Sequence, residues 1–289
     1  MPVPSLPRLE LGAFEVLVLR DGFLSVDAGD MFGAPAKAGR LPGFEVAGEG
    51  RLAIALNSFL IRTGSENVLV DTGVGWTLDG PLGAHYSFKR EPGLFEALRT
   101  AGLGPEDIDV VINTHLHFDH CGGNTEAGEG GAYRAAFPKA EYVIQSREYG
   151  IGIAPPPGEA ESYVRETFLP LESGFQILLV DGDEPVRPGI EVRLSPGHTG
   201  GHQSVKVTSE GRTLLILGDL VPTSIHVAVR SVGYDLDPTA LYANKRRLFE
   251  EGLRGGWIYG FVHDALHPFG RVERPGERFA FRPLEAPAG

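Results

Sequence analysis

Apolar residues along this chain fall into many short runs, separated by turns rich in Gly, Pro, Asp and Ser. Runs of four to six residues that alternate with polar positions, or are apolar throughout, predict β-strands. The predicted strands are 14–19, 58–62, 67–71, 109–113, 141–145, 177–180, 190–194, 203–208, 213–217 and 257–262. Only Thr-Gly-Ser-Glu separates the second strand from the third, which predicts a hairpin.

Helical spacing is found in three places. In 92–101 the apolar residues lie on one helical face, and Gly102 ends the segment. A second helix is predicted at 159–169, after three consecutive prolines. The pair Asp237-Pro238 is a good helix start, and that helix is predicted to stop at Gly252. Strands and helices mix in both halves, with no repeat or linker, so we predict one layered α/β domain over residues 1–289.

The composition excludes several classes of protein. The chain has 289 residues, of which 42% are hydrophobic and 22% charged, which is typical of a soluble globular protein. A net charge of −12 disfavours a nucleic-acid partner, because such binding needs basic residues on phosphates. A single cysteine excludes an internal disulfide, and no apolar run is long enough for a membrane span. The N-terminal segment does not resemble a signal peptide, so we expect a cytoplasmic protein that is not bound to a membrane.

Candidate chemistry is concentrated directly after the strand at 109–113. The segment Asn-Thr-His-Leu-His-Phe-Asp-His carries His115, His117, Asp119 and His120. In extended backbone the first two imidazoles point the same way, because they are two residues apart. Imidazole and carboxylate are ligands that suit zinc, iron or manganese, and a protein core would not tolerate this group unpaired.

Three further candidates also lie just past a predicted strand. His198 stands in Pro-Gly-His-Thr-Gly, Asp219 in Leu-Gly-Asp and His263 in Val-His-Asp. Strand-end loops can converge on one rim of a sheet. Five histidines and two aspartates are enough for two metal ions that share one ligand.

The succession HLHFDH, PGHTGGH, LGD and a strand-terminal His resembles the metallo-β-lactamase-fold hydrolases, and Asp71-Thr72-Gly73 is similar to an early turn of that family. The resemblance spans most of the chain and implies an αββα sandwich with the site on one edge. It implies three ligands for a first ion, three for a second and one bridging carboxylate. In that order these are His115, His117 and His198; Asp119, His120 and His263; and Asp219.

Two more residues are expected to support the site rather than bind metal. Asp71 is predicted to brace a ligand loop by hydrogen bonds. His202, four residues after His198, is interpreted as a supporting or structural residue. Cys121 is interpreted as a small packed residue rather than a nucleophile.

The implied reaction is hydrolysis. Two divalent ions, zinc or else iron, manganese or cobalt, would generate a bridging hydroxide that attacks a lactone or ester carbonyl. Asp219 would position the bridge, and Asp119 is a candidate to carry a proton to the leaving group. The alternatives are hydrolysis of a phosphotriester or thioester and, in a different class, iron-dependent oxidoreductase chemistry. A non-catalytic scaffold is disfavoured because the full candidate ligand set is present.

The stretch SPGHTGGHQS at 195–204 is similar to acyl-homoserine-lactone lactonases and their phosphotriesterase-like relatives. Aspartate at position 219 disfavours lactam hydrolysis. Those lactonases often carry Tyr three residues after the bridging Asp, where this chain has Pro222, and Thr223, Ser224 or His226 is a hypothetical replacement donor.

Candidate pocket residues outside the ligand set are Met31, Phe32, His85, Tyr86, Ser224 and His226. They predict a small-molecule substrate with an apolar part. A homodimer is left open.

Overall fold

The computed structural model describes residues 6–32, 46–47, 50–79, 81–84 and 86–284. Its α-helices are α1 (Ala28–Phe32), α2 (Leu94–Thr100), α3 (Phe118–Cys121), α4 (Ser146–Ile153), α5 (Pro170–Ser173) and α6 (Pro238–Gly255). Its first strands are β1 (Arg8–Leu11), β2 (Phe14–Asp27), β3 (Val46–Ala47), β4 (Arg51–Arg62), β5 (Asn67–Val70), β6 (Phe88–Arg90), β7 (Val110–Ile112), β8 (Thr125–Ala127), β9 (Tyr133–Ala135), β10 (Glu141–Gln145) and β11 (Ile177–Val180). The remaining strands are β12 (Glu184–Arg187), β13 (Ile190–Leu194), β14 (Gln203–Ser209), β15 (Arg212–Ile216), β16 (Ile258–Gly260), β17 (Phe269–Glu273) and β18 (Ala280–Pro283).

The strands form two large mixed sheets and one small hairpin. The first sheet has the order β1-β2-β4-β5-β7-β10-β11, with β3 beside β4 and β6 beside β2. The second sheet runs β12-β13-β14-β15-β16-β17-β18, and β8 pairs with β9. Parallel pairing is found at β5–β7–β10–β11 and at β15–β16. Helical and loop segments therefore connect these strands on the outside of the sheets.

The core lies between the two large sheets. Val16 and Val18 of β2 pack in the same cluster as Val205 and Val207 of β14, whereas Leu17 and Leu19 pack on the outer face of the first sheet. Strands with both faces covered are apolar at nearly every position, which explains why alternation in these strands is weak.

Helices cover both outer faces. Leu98 of α2 packs against Leu17 and Leu69 of the first sheet. Leu248 and Phe249 of α6 pack against the second sheet. The layers are thus helix, sheet, sheet and helix, which confirms the predicted αββα sandwich. Among the described residues, none of the helices combines the length and apolarity needed to cross a bilayer.

All ten predicted strands are present, and the hairpin pairs Arg62 with Asn67 as expected. The predicted helix at 159–169 is wrong. The carbonyl of Ser162 accepts from Phe118 N at 2.9 Å and that of Glu166 from Thr125 Oγ1 at 2.9 Å. These tertiary bonds hold the two carbonyls away from the intrahelical pattern, leaving turns, a short 3-10 turn at Arg165–Thr167 and α5.

The helices differ from the prediction in two further ways. Helix α6 starts as predicted, with the Asp237 carboxylate accepting from Thr239 N and Ala240 N, but it continues past Gly252 to Gly255. Gly252 lies inside the helix, and its lack of a Cβ leaves room for the Tyr259 hydroxyl, so close packing rather than a helix end accounts for this glycine. Gly256, with φ 61°, ends the helix. Helix α4 and the shorter helices α1, α3 and α5 were not predicted.

Candidate metal centre and cavity

The seven candidate ligands converge at one end of the sandwich. The segment His115–His120 follows β7 of the first sheet. His198 follows β13, Asp219 follows β15 and His263 follows β16, all in the second sheet. Their ligand atoms form three groups, in each of which every atom lies within 4.8 Å of the others. The groups are His115, His117 and His198; His115, His120 and Asp219; and Asp119, His120 and His263.

Asp219 lies between the groups, and its two oxygens face different partners. Oδ2 is 3.3 Å from His198 Nε2, whereas Oδ1 is 3.1 Å from His263 Nε2 and 3.5 Å from His120 Nε2. Asp119 Oδ2 is 3.6 Å from His120 Nε2. One carboxylate can therefore contribute an oxygen to each of two adjacent sites.

Several polar atoms at the centre are buried without a hydrogen-bond partner. They are the Nε2 atoms of His115, His117 and His120 and the Oδ1 atom of Asp219. A buried polar atom left unpaired costs about 1–3 kcal/mol. Three of the four side chains, those of His115, His120 and Asp219, form one of the candidate metal groups. Divalent cations fit this donor set, because neutral imidazole nitrogens and carboxylate oxygens are the ligand types that hold them.

Burial and neighbouring charges shift the pKa values at the centre in opposite directions. Burial, together with adjacent imidazoles, holds the pKa of His115 and His117 well below the usual value, so both are neutral. Burial opposes charge on His120, but the carboxylates, Asp119 first, outweigh it and raise that pKa well above the usual value. Burial also opposes charge on Asp219, yet nearby imidazoles keep its pKa well below the usual range. The cluster thus offers both lone pairs and negative charge.

Asp71 orients one ligand loop. Its Oδ1 accepts from Thr114 N at 2.8 Å, and its Oδ2 contacts Thr114 Oγ1 at 2.9 Å and His120 Nδ1 at 2.9 Å. Asp71 is also one of three described non-glycine residues with positive φ, at 59°. Backbone strain of this kind persists where surrounding contacts impose it.

His202 holds the backbone at Asp219. Its Nε2 accepts from Asp219 N at 3.0 Å, and its Nδ1 lies 3.1 Å from Ser195 O. Burial lowers the pKa of His202 to about 3, so the ring is neutral and can accept at Nε2. Gly218 has φ 56°, and a Cβ there would meet His202 Nε2 at 2.5 Å, so only glycine fits this turn.

Two buried acids at the site were missed by the sequence reasoning. Asp235 Oδ1 lies 3.2 Å from His198 Nδ1, and Asp235 Oδ2 accepts from Val232 N at 2.7 Å. Asp235 therefore orients His198 so that Nε2 faces the centre. No motif marks it, because the contact joins positions 37 residues apart.

Glu148 of α4 is the second. It accepts from Leu116 N at 3.1 Å, Thr199 Oγ1 at 2.7 Å and Gly201 N at 3.1 Å, and also from the Tyr163 hydroxyl at 3.0 Å. One carboxylate thus ties together two ligand segments. Its helix was not predicted, so no sequence signal pointed to it.

A cavity of about 280 Å³ opens above the centre. Its floor contains five candidate ligands: His117, Asp119, His198, Asp219 and His263. Its walls are Leu24, Val26, Met31, Ile54, Tyr86, Phe118, Gly158, Glu159, Ser162, Gly233, Tyr234, Asp235 and Leu236. The apolar share of these walls suits a substrate with a hydrocarbon part.

The predicted pocket residues divide into two groups. Met31 and Tyr86 line the cavity, whereas Phe32, Ser224 and His226 are buried outside its lining. The prediction was therefore wrong for Phe32, Ser224 and His226. His226 stacks on Phe32 at a ring distance of 4.5 Å, and its Nε2 lies 2.8 Å from Met31 O, so these rings pack against each other instead of lining the cavity. His85 lies outside the described residues.

The hypothetical replacement donors near Pro222 also lie outside the cavity lining. The hydroxyl of Thr223 lies 2.7 Å from His226 Nδ1, so both ring nitrogens of His226 have partners. Ser224 is fixed through its N–H, which donates to Asp264 Oδ2 at 2.8 Å. Buried Lys245 of α6 donates to the carbonyls of His226 and Val229, which holds this segment against the helix.

Cys121 has the surroundings of a packed thiol. It is fully buried, its Sγ donates to Leu116 O at 3.3 Å, and burial raises the pKa of the thiol. A thiol that stays protonated is a poor nucleophile.

Comparison with known proteins agrees with this geometry. An N-acyl homoserine lactonase from Bacillus cereus is 30% identical over 221 residues, covering 71% of this chain and 80% of the relative. A probable metal-dependent hydrolase from Staphylococcus aureus has a similar structure, with a TM-score of 0.83, 24% identity and coverage of 97% and 100% of the two chains. AidC, a dizinc quorum-quenching lactonase in complex with a product, has a TM-score of 0.79, 18% identity and 98% coverage of both chains.

The family match covers the whole candidate centre. The family model of the Metallo-beta-lactamase superfamily matches residues 54–270, which is most of the chain and includes all seven candidate ligands. This match agrees with the four-layer sandwich and with the His and Asp residues at the ends of its strands. The chain is a metal-dependent hydrolase of the Metallo-beta-lactamase superfamily.

Proposed function

We propose that this protein is a dinuclear metal-dependent hydrolase that opens a lactone or ester. The observation that carries the proposal is Asp219, whose two oxygens face two adjacent groups of imidazoles. The proposed ligands of the first ion are His115, His117 and His198, those of the second are Asp119, His120 and His263, and Asp219 is shared. We propose zinc for both ions, with iron, manganese or cobalt as alternatives.

When bound, such a pair of ions lowers the pKa of a water molecule to near neutrality and polarises the carbonyl oxygen. The side chains around the pair position the groups, transfer a proton and exclude water. Asp219 fixes the separation of the two groups, and its backbone N–H is held by His202. Asp119, 14% exposed and on the cavity floor, is placed to pass a proton to the leaving alkoxide. The apolar walls exclude water from the reacting carbonyl.

The choice of a lactone or ester rests on the relatives and on the cavity. The Bacillus cereus relative is named for hydrolysis of N-acyl homoserine lactones. A small-molecule substrate with an apolar part fits the walls formed by Leu24, Val26 and Ile54. Phosphotriester or thioester hydrolysis uses the same centre and is the alternative outcome of the test.

Elemental analysis and a substrate panel test the proposal together. Wild-type protein should contain about two equivalents of metal and hydrolyse chromogenic lactones and esters faster than paraoxon or a glutathione thioester. His115→Ala should lose metal and this activity. Turnover of paraoxon alone, or redox activity with stoichiometric iron and no hydrolysis, would overturn the assignment.

Two predictions from the sequence and one open question stand beside this proposal. The whole chain is proposed to be one hydrolase domain, since the proposed ligands come from both large sheets. A cytoplasmic location is a prediction that cell fractionation would check, and light scattering would decide whether the chain forms the homodimer that the sequence leaves open.

A further inference from the structure

A second recess, which we call the side pocket, lies between α4, the loop at 196–200 and the start of α6. Its volume is about 320 Å³, comparable to the 280 Å³ of the cavity above the metal centre. His198 lines the cavity, whereas its neighbours Gly197 and Thr199 line the side pocket. Among the described residues, Leu236 alone lines both. The side pocket is therefore a separate space on the other side of a metal-binding loop.

The side pocket has a guanidinium group on its wall. A Cβ on Gly200 would lie 3.4 Å from Arg147 Nε and 3.5 Å from Arg147 Nη2, so the charged group lies directly against this lining glycine. Ile151, one turn further along α4, lies against the same glycine. Within the described part of the chain, the Arg147 guanidinium makes neither a hydrogen bond nor an ion pair. Its N–H groups are thus free to bind a ligand.

The other polar side chains of the side pocket already have partners. Thr199 Oγ1 donates to Glu148 Oε2 at 2.7 Å. Asp237 Oδ1 accepts from two N–H groups in the first turn of α6, at 3.0 and 2.9 Å. These contacts hold the hydroxyl and the carboxylate to the protein itself. Of the polar side chains that line the side pocket, Arg147 is therefore the one left for a ligand.

The rest of the wall is mainly hydrocarbon. Its apolar residues are Ile151, Pro156, Pro196, Leu236 and Ala240. A guanidinium fork matches a carboxylate in shape and charge, because two parallel N–H groups can donate to the two oxygens. One unpaired cation beside an apolar surface suits a ligand that has a carboxylate at one end and a hydrocarbon chain at the other.

The wall is held in place before any ligand binds. Asp237 N donates to Gly197 O at 2.8 Å, and Leu236 N donates to His198 O at 3.3 Å. These bonds fix the start of α6 to the loop on the opposite side of the side pocket. A wall that is already formed lowers the entropy cost of binding.

We propose that the side pocket is a second binding site, distinct from the metal centre, which takes an amphipathic carboxylate of the medium-chain fatty acid type. Arg147 binds the carboxylate, and Ile151, Pro156 and Ala240 receive the hydrocarbon chain. The site goes beyond the proposed hydrolysis and does not depend on it.

Calorimetry on the metal-loaded wild type with three matched ligands tests the charge preference. Octanoate should bind roughly tenfold more tightly than octanamide, because a charge-assisted hydrogen bond is stronger than a neutral one. Added salt should reduce this ratio, since the Arg147 side chain is exposed. If octylammonium binds more tightly than octanoate, Asp237 sets the charge preference and the inference is wrong.

Variants assign the binding to the side pocket, since octanoate can also reach ions at the metal centre. Arg147→Gln should weaken octanoate binding roughly tenfold and leave octanamide binding unchanged. Ala240→Phe keeps the charge but fills the side pocket, so it should abolish binding of both ligands there. Arg212→Gln, at an exposed arginine outside the side pocket, is the matched control and should bind as wild type. Equal metal content in the four proteins shows that they are folded.

Photolabelling locates the ligand without reference to affinity or turnover. An octanoate with a diazirine near its methyl end should label peptides that contain 151–156 or 240, and Ala240→Phe should lose these labels. Labels confined to the cavity wall at 24–31 and 54, or octanoate binding that Arg147→Gln leaves unchanged, overturn the inference. If these labels form but no lactone or ester is hydrolysed, the proposed function fails and the second site stands.

Discussion

The floor and the walls of the cavity are built in different ways. Every candidate ligand on the floor belongs to a short motif in a loop that follows a strand, and buried partners hold the outward ring nitrogens of His198 and His263, namely Asp235 and Ala55 O. The walls come from segments far apart in the chain, among them β2, β4 and the turn at 158–162, with no shared spacing. Chemistry at strand ends is thus encoded locally, whereas the shape of the cavity depends on how distant loops pack.

Removing the Asp219 carboxylate, the proposed shared ligand, should have the largest effect. In Asp219→Asn, loss of negative charge between the two imidazole groups should lower metal content below two equivalents. Activity should fall on the order of 10³-fold, because metal polarisation contributes several kcal/mol to the barrier. Exposed Asp181→Asn is the matched control and should behave as wild type. An Asp219→Asn protein with full metal content and full activity would show that metal binding and catalysis do not depend on the Asp219 carboxylate.

Acid should destabilise the packing behind the cavity wall, where His226 contacts the carbonyl of Met31. Burial, with a smaller contribution from Lys245, lowers the pKa of His226 to about 4, below the usual value of 6.5. The unfolded chain therefore binds more protons between pH 4 and pH 6.5, and stability present above pH 6.5 is lost as the pH falls through that range. The expected loss is about 3 kcal/mol.

Urea unfolding of metal-free protein as a function of pH measures this term. His226→Gln, which keeps a donor toward Met31 O but does not titrate, should remove this part of the pH dependence. If wild type and His226→Gln have equal pH dependence between pH 4 and 6.5, another group is responsible.

Asp235 belongs to both the walls and the floor of the cavity, since it lines the cavity and orients His198 of the floor. Asp235→Asn should reduce metal affinity roughly 10- to 100-fold, the range typical for a residue that orients a metal-binding histidine. Competition with a chromogenic chelator measures this affinity. Glu277→Gln, whose side chain is 95% exposed, is the control. Unchanged metal affinity in Asp235→Asn would show that Asp235 only lines the cavity and does not orient His198 for metal binding.

The smallest effect is expected at the rim. Leu236 lines the cavity and is 44% exposed, so Leu236→Ala should leave the fold intact. It should lower kcat/KM for long-chain acyl substrates by roughly fourfold for each acyl methylene that is no longer buried, from about 0.8 kcal/mol per CH₂, and leave short-chain substrates unchanged. Leu266→Ala, exposed and outside the cavity lining, is the control. Equal losses for long and short chains would exclude an acyl contact at this rim.

Much of the sandwich could be predicted from the sequence for a physical reason. Strands such as β5 and β7 have both faces covered, so they are continuous apolar runs that end where polar ligand residues begin. The proposed ligands follow these ends directly, and their types and spacing identify them without tertiary information.

What could not be predicted depends on contacts between distant positions. The carbonyls of Ser162 and Glu166 bond to Phe118 and Thr125, so the segment turns where local spacing favours a helix. Glu148 is buried through four such contacts, and no spacing rule points to it. The same applies to Glu159, which the turn in place of the predicted helix brings to the cavity.

The division of the seven proposed ligands between the sheets has a thermodynamic consequence. Four follow β7 of the first sheet and three follow strands of the second, so ions bound by all seven would fasten the two halves of the sandwich to each other. Ions that bind only the closed sandwich stabilise it by mass action. The binding free energy of the ions would then depend on the free energy of packing the two sheets together. A packing defect far from the cavity would be observed as weaker metal retention.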